Sequence, residues 1–130
     1  MKWLYTEPLA SDLPIREFQV DNALILPADY VACVRENGGG KPERCICTTA
    51  DGKEHIVGYL LSFAPGSSVD IRDYNHDTSR YVAIAIDPFG NAWCIERQTG
   101  HIVFRNHETN AVVDAADSFT AFLEKLTLPQ

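Results

Sequence analysis

Two histidine–carboxylate pairs are the residues of this sequence best suited to chemistry. His76-Asp77 and His107-Glu108 each join an imidazole to a carboxylate, the minimum for general acid–base catalysis. Adjacent residues on a strand face opposite sides, and neither pair comes with an identifiable nucleophile. Solvated loop histidines are therefore the favoured interpretation, and a small hydrolase using His76 or His107 is the weakest of three functional hypotheses.

Four cysteines raise the question of a metal site. Cys45 and Cys47 lack the Cys-x-x-Cys spacing of a zinc knuckle, although strand alternation would point both thiols to one face. Cys33 and Cys94 could converge there, but buried unpaired thiols are commoner in a reducing compartment. We expect free cysteines and neither a metal nor a cofactor.

Three glycines followed by Lys41 suggest a phosphate-binding loop. Such a loop precedes a helix, whereas these glycines follow a predicted one. The Walker pattern also fails, because Arg35 replaces its first glycine and Pro42 its Ser or Thr. The glycines are better explained as a helix end, with Asn37 and Gly38 in the left-handed conformation.

The densest polar cluster lies in residues 64–80, a turn-rich segment predicted to be a variable surface loop. One interpretation is a solvated loop. The other is an acidic contact surface with Tyr74 as an aromatic anchor and Asp70, Asp73 and Asp77 as its charges. These four are the candidate partner-binding residues.

The elements that must position these residues indicate an α+β domain. Residues 1–24 form a short N-terminal helix or turn region, with the helix over about 14–20, and a second helix starts near Pro27. Runs typical of strands cover 45–49, 54–63, 81–87, 92–97 and 102–106, the last three as an antiparallel meander. An amphipathic helix closes the chain, giving a single domain over 1–130 with a mostly antiparallel sheet of five or six strands.

The charge of the chain restricts its partners. Eighteen acidic and eleven basic residues give a net charge of −7, which repels nucleic acid and anionic lipid. An electrostatically favoured partner is basic. No signal sequence or membrane-spanning run is evident, so a cytoplasmic location is expected.

Three segments in order resemble the SUKH superfamily: LPADYVACVRENGGG, IAIDPFGNAWCIERQTGHIVFRNHE and ADSFTAFLEKL. The resemblance spans about residues 26–126. It implies a bent sheet flanked by helices and no catalysis. Members include bacterial immunity proteins that neutralise a cognate polymorphic toxin, often a nuclease or deaminase, and fungal regulators of cell-wall synthesis.

The positions that match the family's motifs are expected to maintain the fold rather than to bind the partner. They are Pro27, Asp29, Tyr30, Asn37, Gly38, Gly39, Asp87, Gly90, Asn91, His107, Glu108, Ser118, Phe119, Phe122 and Leu123. The resemblance and the acidic charge together favour an immunity protein with a basic toxin partner. A regulatory or scaffold module is the alternative, and the oligomeric state stays open.

Overall fold

A computed structural model describes all residues, 1–130, and shows an α+β fold. Its elements are β1 (Trp3–Leu4), α1 (Leu13–Asp21), α2 (Ala28–Asn37), β2 (Lys41–Pro42), β3 (Ile46–Thr48), β4 (Glu54–Ile56), β5 (Tyr59–Leu60), a 3₁₀ helix (Ile71–Tyr74), β6 (Tyr81–Ile86), β7 (Ala92–Glu96), β8 (Ile102–Arg105), β9 (Val112–Ala116) and α3 (Phe119–Glu124). The predicted fold class is confirmed, including the C-terminal helix. None of the three α-helices has the length and apolarity needed to cross a membrane.

The main sheet has five antiparallel strands in the order β5-β6-β7-β8-β9. The predicted meander forms its centre, where Cys94 pairs with both Ala83 and Val103. Register shifts near Ala83 on β6 and Ile102 on β8 interrupt the ladder and bend the sheet. The fifth strand, β9, was not predicted, because its outer side is partly exposed and its apolar alternation is weak.

The predicted strand over 54–63 is two strands, because the chain leaves one sheet and joins another at Gly58. β4 pairs with β3 in a separate hairpin, whereas β5 pairs with β6. Gly58 donates its N–H to the Ile86 carbonyl at 2.7 Å. A Cβ at Gly58 would lie 2.9 Å from that oxygen, so the crossing requires glycine.

The core lies between the main sheet and the three helices. Trp93 on β7 is fully buried and contacts the rings of Phe104 and Phe122. Phe18 of α1 packs edge-on against Phe63. Trp93 therefore joins α3 to one face of the sheet, and Phe63 joins α1 to the segment that follows β5.

The end of α2 differs from its prediction in one detail. Neither Asn37 nor Gly38 takes the predicted left-handed conformation, because Asn37 is the last residue of α2 and Gly38 has φ −54°; the left-handed residue is Gly39 at φ +79°. The reason is tertiary: Gly39 donates its N–H to the Leu60 carbonyl at 2.7 Å, which ties the helix end to β5. At the other end Pro27 is extended and precedes the helix rather than occupying its first turn.

Candidate partner-binding site

The segment 64–80 is anchored to the sheet by backbone and side-chain hydrogen bonds. Ser62 receives the Ile71 N–H at 2.9 Å, and the Ile71 side chain is fully buried. Asn75 accepts the Ala83 N–H at 2.8 Å and donates to the Ile71 and Ala83 carbonyls, each at 2.9 Å. The loop is thus a fitted element that holds its polar side chains in place.

Asp70 is an ion-paired carboxylate rather than a bare one. Arg72 donates Nε to Oδ1 and Nη2 to Oδ2, both at 2.9 Å, and its backbone N–H also reaches Oδ1 at 2.9 Å. The hydrogen bonds from Arg72 hold the pKa of Asp70 below its usual value. Asp70 also caps the 3₁₀ helix, so it has a structural role beside any contact with a partner.

The charges of two more carboxylates act on the same guanidinium, although neither forms an ion pair with it. The Asp70 hydrogen bond raises the pKa of Arg72 first, and the charges of Glu17 and Asp73 add to that effect. We call Glu17, Asp70 and Asp73 the acidic cluster. Three carboxylates against one guanidinium give the acidic cluster, counted with Arg72, a negative formal charge. Sequence reasoning missed Glu17, because it lies on α1, far from the loop along the chain.

Tyr74 and Asp77 line a pocket of about 410 Å³ instead of extending the acidic cluster. Arg80, Tyr81 and Arg105 also line it. The Asp77 carboxylate accepts the Ser79 N–H at 3.0 Å. Hydrogen bonds from Ser79, and secondarily the charge of Arg105, lower the pKa of Asp77. The four predicted residues therefore divide between an acidic cluster and a partly cationic pocket.

The same pocket contains Ser79 and His76, residue types that could form a catalytic relay with Asp77. A relay needs the imidazole between the hydroxyl and the carboxylate. Here Asp77 is hydrogen-bonded to Ser79, and His76 bonds to neither. The arrangement lacks the nucleophile–base contact that such chemistry requires.

His107, the histidine of the other predicted pair, belongs to a network that closes the β6–β7 turn. Asp87 accepts the backbone N–H groups of Phe89 and Asn91 at 2.9 and 2.8 Å, and the Asn91 amide at 2.9 Å. Asn91 Oδ1 in turn lies 3.0 Å from the His107 backbone nitrogen and 2.9 Å from its Nδ1. Glu108 is only a loose neighbour, with its Oε1 3.9 Å from His107 Nε2.

Gly90 completes this turn at φ +89°, where side-chain-bearing residues are strained. A Cβ there would lie 3.4 Å from the His107 ring. The network connects the turn to the end of β8, so Asp87, Gly90, Asn91 and His107 cooperate in shaping one corner of the sheet.

A matching arrangement joins two helices. Asp29 in the first turn of α2 accepts both the backbone N–H and the hydroxyl of Thr120 at the start of α3. Tyr30 beside it packs edge-on against Phe119. Ser118 caps α3 by accepting the Ala121 N–H at 3.0 Å.

The model of the SMI1/KNR4 family (SUKH-1) matches residues 9–125 of the chain. The chain belongs to the SMI1/KNR4 family. This confirms the resemblance noted in the sequence. No curated protein matches the chain significantly. The SMI1/KNR4 assignment supports a protein-interaction module of the immunity or regulatory kind, from a group whose members are generally non-catalytic.

The motif positions of this SMI1/KNR4 chain are mostly half-buried or buried and engaged within the molecule. Asn37 donates its amide to the Cys33 carbonyl at 3.0 Å, and Phe119 and Phe122 belong to the core. Gly90, His107 and Glu108 are the exposed members of the set. These contacts agree with the predicted fold-maintaining role, which itself stays a prediction.

The cysteines are free thiols, as predicted. Cys45, Cys47 and Cys94 are buried and Cys33 is half-buried. Burial raises the pKa of Cys94 to about 11, which keeps it protonated near neutral pH. No group of three His, Cys, Asp or Glu side chains lies close enough to hold a metal ion.

Proposed function

We propose that this protein is an immunity protein that binds one cognate toxin in the cytoplasm and neutralises it without catalysis. The match to the SMI1/KNR4 family over residues 9–125 carries the proposal, because it narrows the function to an immunity or regulatory interaction module. The net charge of −7 favours the immunity role. Toxin domains that attack nucleic acid are commonly basic, and opposite charges accelerate association.

The acidic cluster is the proposed first point of contact. Glu17 and Asp73 have no ion-pair partner within contact distance, and Arg72 is already engaged by Asp70. Tyr74, which follows Asp73 in the chain and lines the pocket of about 410 Å³, is 38% exposed and offers an aromatic anchor. The carboxylates would attract a basic partner surface, and the Tyr74 ring would contribute an apolar contact. Partner choice would vary through the exposed side chains of loop 64–80, because Ile71 of the same segment is part of the core.

A regulatory or scaffold module is the second candidate. It would share the fold and the fold-maintaining contacts, and it would have no toxin as a partner. The gene adjacent to this one distinguishes the two cheaply, because a multidomain secreted toxin beside it is typical of immunity loci.

Co-expression tests the leading proposal. The toxin domain encoded next to this chain is expressed in a sensitive host with and without the protein, and the two are then co-purified. We expect restored growth and a stable complex. A variant with disrupted packing, Trp93→Asp, serves as the unfolded control. Persistent toxicity together with no complex would refute the immunity role.

A further inference from the structure

Arg105 is the one half-buried arginine without a partner. Arg35 forms a bidentate pair with Asp12, at 2.7 and 2.9 Å. Arg97 donates to the carbonyls of Thr78 and Ala23. The Arg105 guanidinium, by contrast, is in no ion pair and donates no hydrogen bond within the chain. Partial burial of an unpaired charge costs free energy, which a bound anion would recover.

The surroundings of Arg105 suit an anion. It lies at the end of β8 and lines the pocket of about 410 Å³ together with Arg80. The Arg80 guanidinium lies over the Tyr81 ring, 5.1 Å from the centroid; the Arg80 side chain is 73% exposed and only loosely paired with Glu96 at 3.8 Å. Two guanidinium groups with free donors thus share one pocket, in a chain whose net charge is −7.

The single carboxylate in the pocket does not satisfy this need. Asp77 Oδ1 accepts the Ser79 N–H. Arg105 affects Asp77 only by its charge, because no hydrogen bond or ion pair joins the two side chains. His76 adds an imidazole to the lining, and the phenol of Tyr74 adds a further polar group. The pocket therefore has more donors than acceptors, and its volume accommodates a carboxylate-bearing side chain.

We propose that this pocket, centred on Arg105 and Arg80, receives the carboxylate of one aspartate or glutamate side chain of the bound protein partner. The inference rests on the proposed function and makes the interface two-signed. The acidic cluster attracts a basic surface, and the pocket accepts one acidic side chain in bidentate geometry and so sets the docking register. The pocket would discriminate among toxins that are all basic overall, because a partner with no carboxylate at this position leaves Arg105 buried and unpaired.

The test compares two arginine-to-glutamine variants that change net charge equally. Arg105→Gln removes the pocket guanidinium, whereas Arg44→Gln removes an exposed one elsewhere on the surface. With the adjacent toxin domain as the binding partner, Arg105→Gln should weaken the complex about tenfold or more, mainly through faster dissociation. Arg44→Gln should stay within about twofold, as expected for an exposed charge. Arg105→Lys should weaken the complex by an intermediate amount, since lysine keeps the positive charge but cannot form the two parallel hydrogen bonds of a guanidinium.

Alanine scanning of the toxin's aspartates and glutamates then identifies the occupant. One of them should show strong coupling with Arg105→Gln in a double-mutant cycle, and the rest should be additive with it. Thermal unfolding of each variant alone checks that the fold is intact, and Arg80→Gln repeats the test at the second guanidinium.

The outcomes separate the two proposals. If the wild type forms the complex but Arg105→Gln and Arg80→Gln match Arg44→Gln, or no acidic residue couples, the pocket proposal is overturned and the immunity role stands. If the wild type forms no complex, both are overturned. A last experiment tests whether the pocket binds a free small anion: the protein alone is titrated with phosphate and with succinate, and the amide NMR shifts near Arg105 are followed. Tight binding of either anion would assign the pocket to a free small molecule and overturn the side-chain occupant.

Discussion

Asp29 on α2 holds the start of α3 through Thr120. Asp29 Oδ2 accepts the Thr120 backbone N–H at 2.9 Å and its hydroxyl at 2.7 Å, across 91 positions of sequence. Asp29 thus satisfies an N–H at the first turn of a helix that is not its own. The contact fixes how two helices meet over the aromatic pair Tyr30 and Phe119.

Replacing Asp29 with alanine should destabilise the protein by about 1 kcal/mol, the usual size of a lost helix cap. Urea unfolding at neutral pH measures it. Asp21→Ala is the control, because Asp21 is an exposed helix aspartate with no side-chain hydrogen bond. Equal midpoints for the two variants would contradict a tethering role for Asp29.

The same contact predicts a pH dependence. Partial burial opposes ionisation of Asp29, but hydrogen bonds from Thr120 and Tyr30 outweigh it and lower its pKa. A depressed folded-state pKa gives stability that is present above the unfolded value of about 3.9 and is lost as pH falls through the folded value. The difference in unfolding free energy between wild type and Asp29→Asn should therefore shrink below about pH 4. A difference that stays constant down to pH 3 would mean that the charge of Asp29 contributes nothing.

Asn91 should be essential to the corner built by Asp87 and His107. Asn91→Ala removes a donor from the buried Asp87 carboxylate and an acceptor from His107, so we expect a loss of about 1–3 kcal/mol. A double-mutant cycle with His107→Ala measures the shared part, and His101→Ala provides a histidine control outside the network. Additivity between Asn91→Ala and His107→Ala would contradict the network.

The hydroxyl of Tyr30 is the one buried side-chain polar atom without a hydrogen-bond partner. Tyr30 is 0% exposed, and burial raises the pKa of its phenol. Tyr30→Phe should therefore leave stability unchanged or raise it by up to about 1 kcal/mol, since the buried hydroxyl is unpaired in the folded state. Thermal unfolding measures this, with Tyr81→Phe as a half-exposed control. A marked loss of stability in Tyr30→Phe would show that the hydroxyl has a bonding partner in solution.

Charge reversal should distinguish the effect of the acidic cluster on the association rate from the effect of the overall net charge. Glu17→Lys with Asp73→Lys should slow association with a basic toxin about tenfold at low salt. Glu43→Lys with Glu124→Lys changes the net charge equally at a distant surface and should have a smaller effect. The difference should fade at high salt, because exposed charges are screened. Equal association rates for the two double variants would move the contact surface elsewhere.

Reversing the charges of Asp70, Asp73 and Asp77 together would be a poor test of the acidic surface. Asp70 caps the 3₁₀ helix and Asp77 orients its own loop, so their replacement alters local structure as well as charge. Asp73 is the member whose change reports charge most cleanly, because its carboxylate makes no hydrogen bond or ion pair within the chain.

Elements with strong local signals were predictable. The meander of β6, β7 and β8 follows from short apolar runs between turns, and α3 from Phe119 and Phe122 at helical spacing after a serine cap. The break at Gly58 was not predictable, since apolar residues continue on both sides of it. Only the approach of the Ile86 carbonyl explains the glycine there.

The sequence by itself determined the α+β class, the family, the acidic balance and the loop that contains Asp70, Asp73, Tyr74 and Asp77. These depend on composition, periodicity and ordered motifs, which are properties of the chain as written. The tertiary structure decided which charges are neutralised and which are free. Asp70 pairs with its near neighbour Arg72, the charge of Glu17 on α1 acts on the same guanidinium, and Arg105 is left without a partner in a pocket. Electrostatic interactions depend on distance in space and on burial, so residues far apart in the chain set the character of the surface once it has folded.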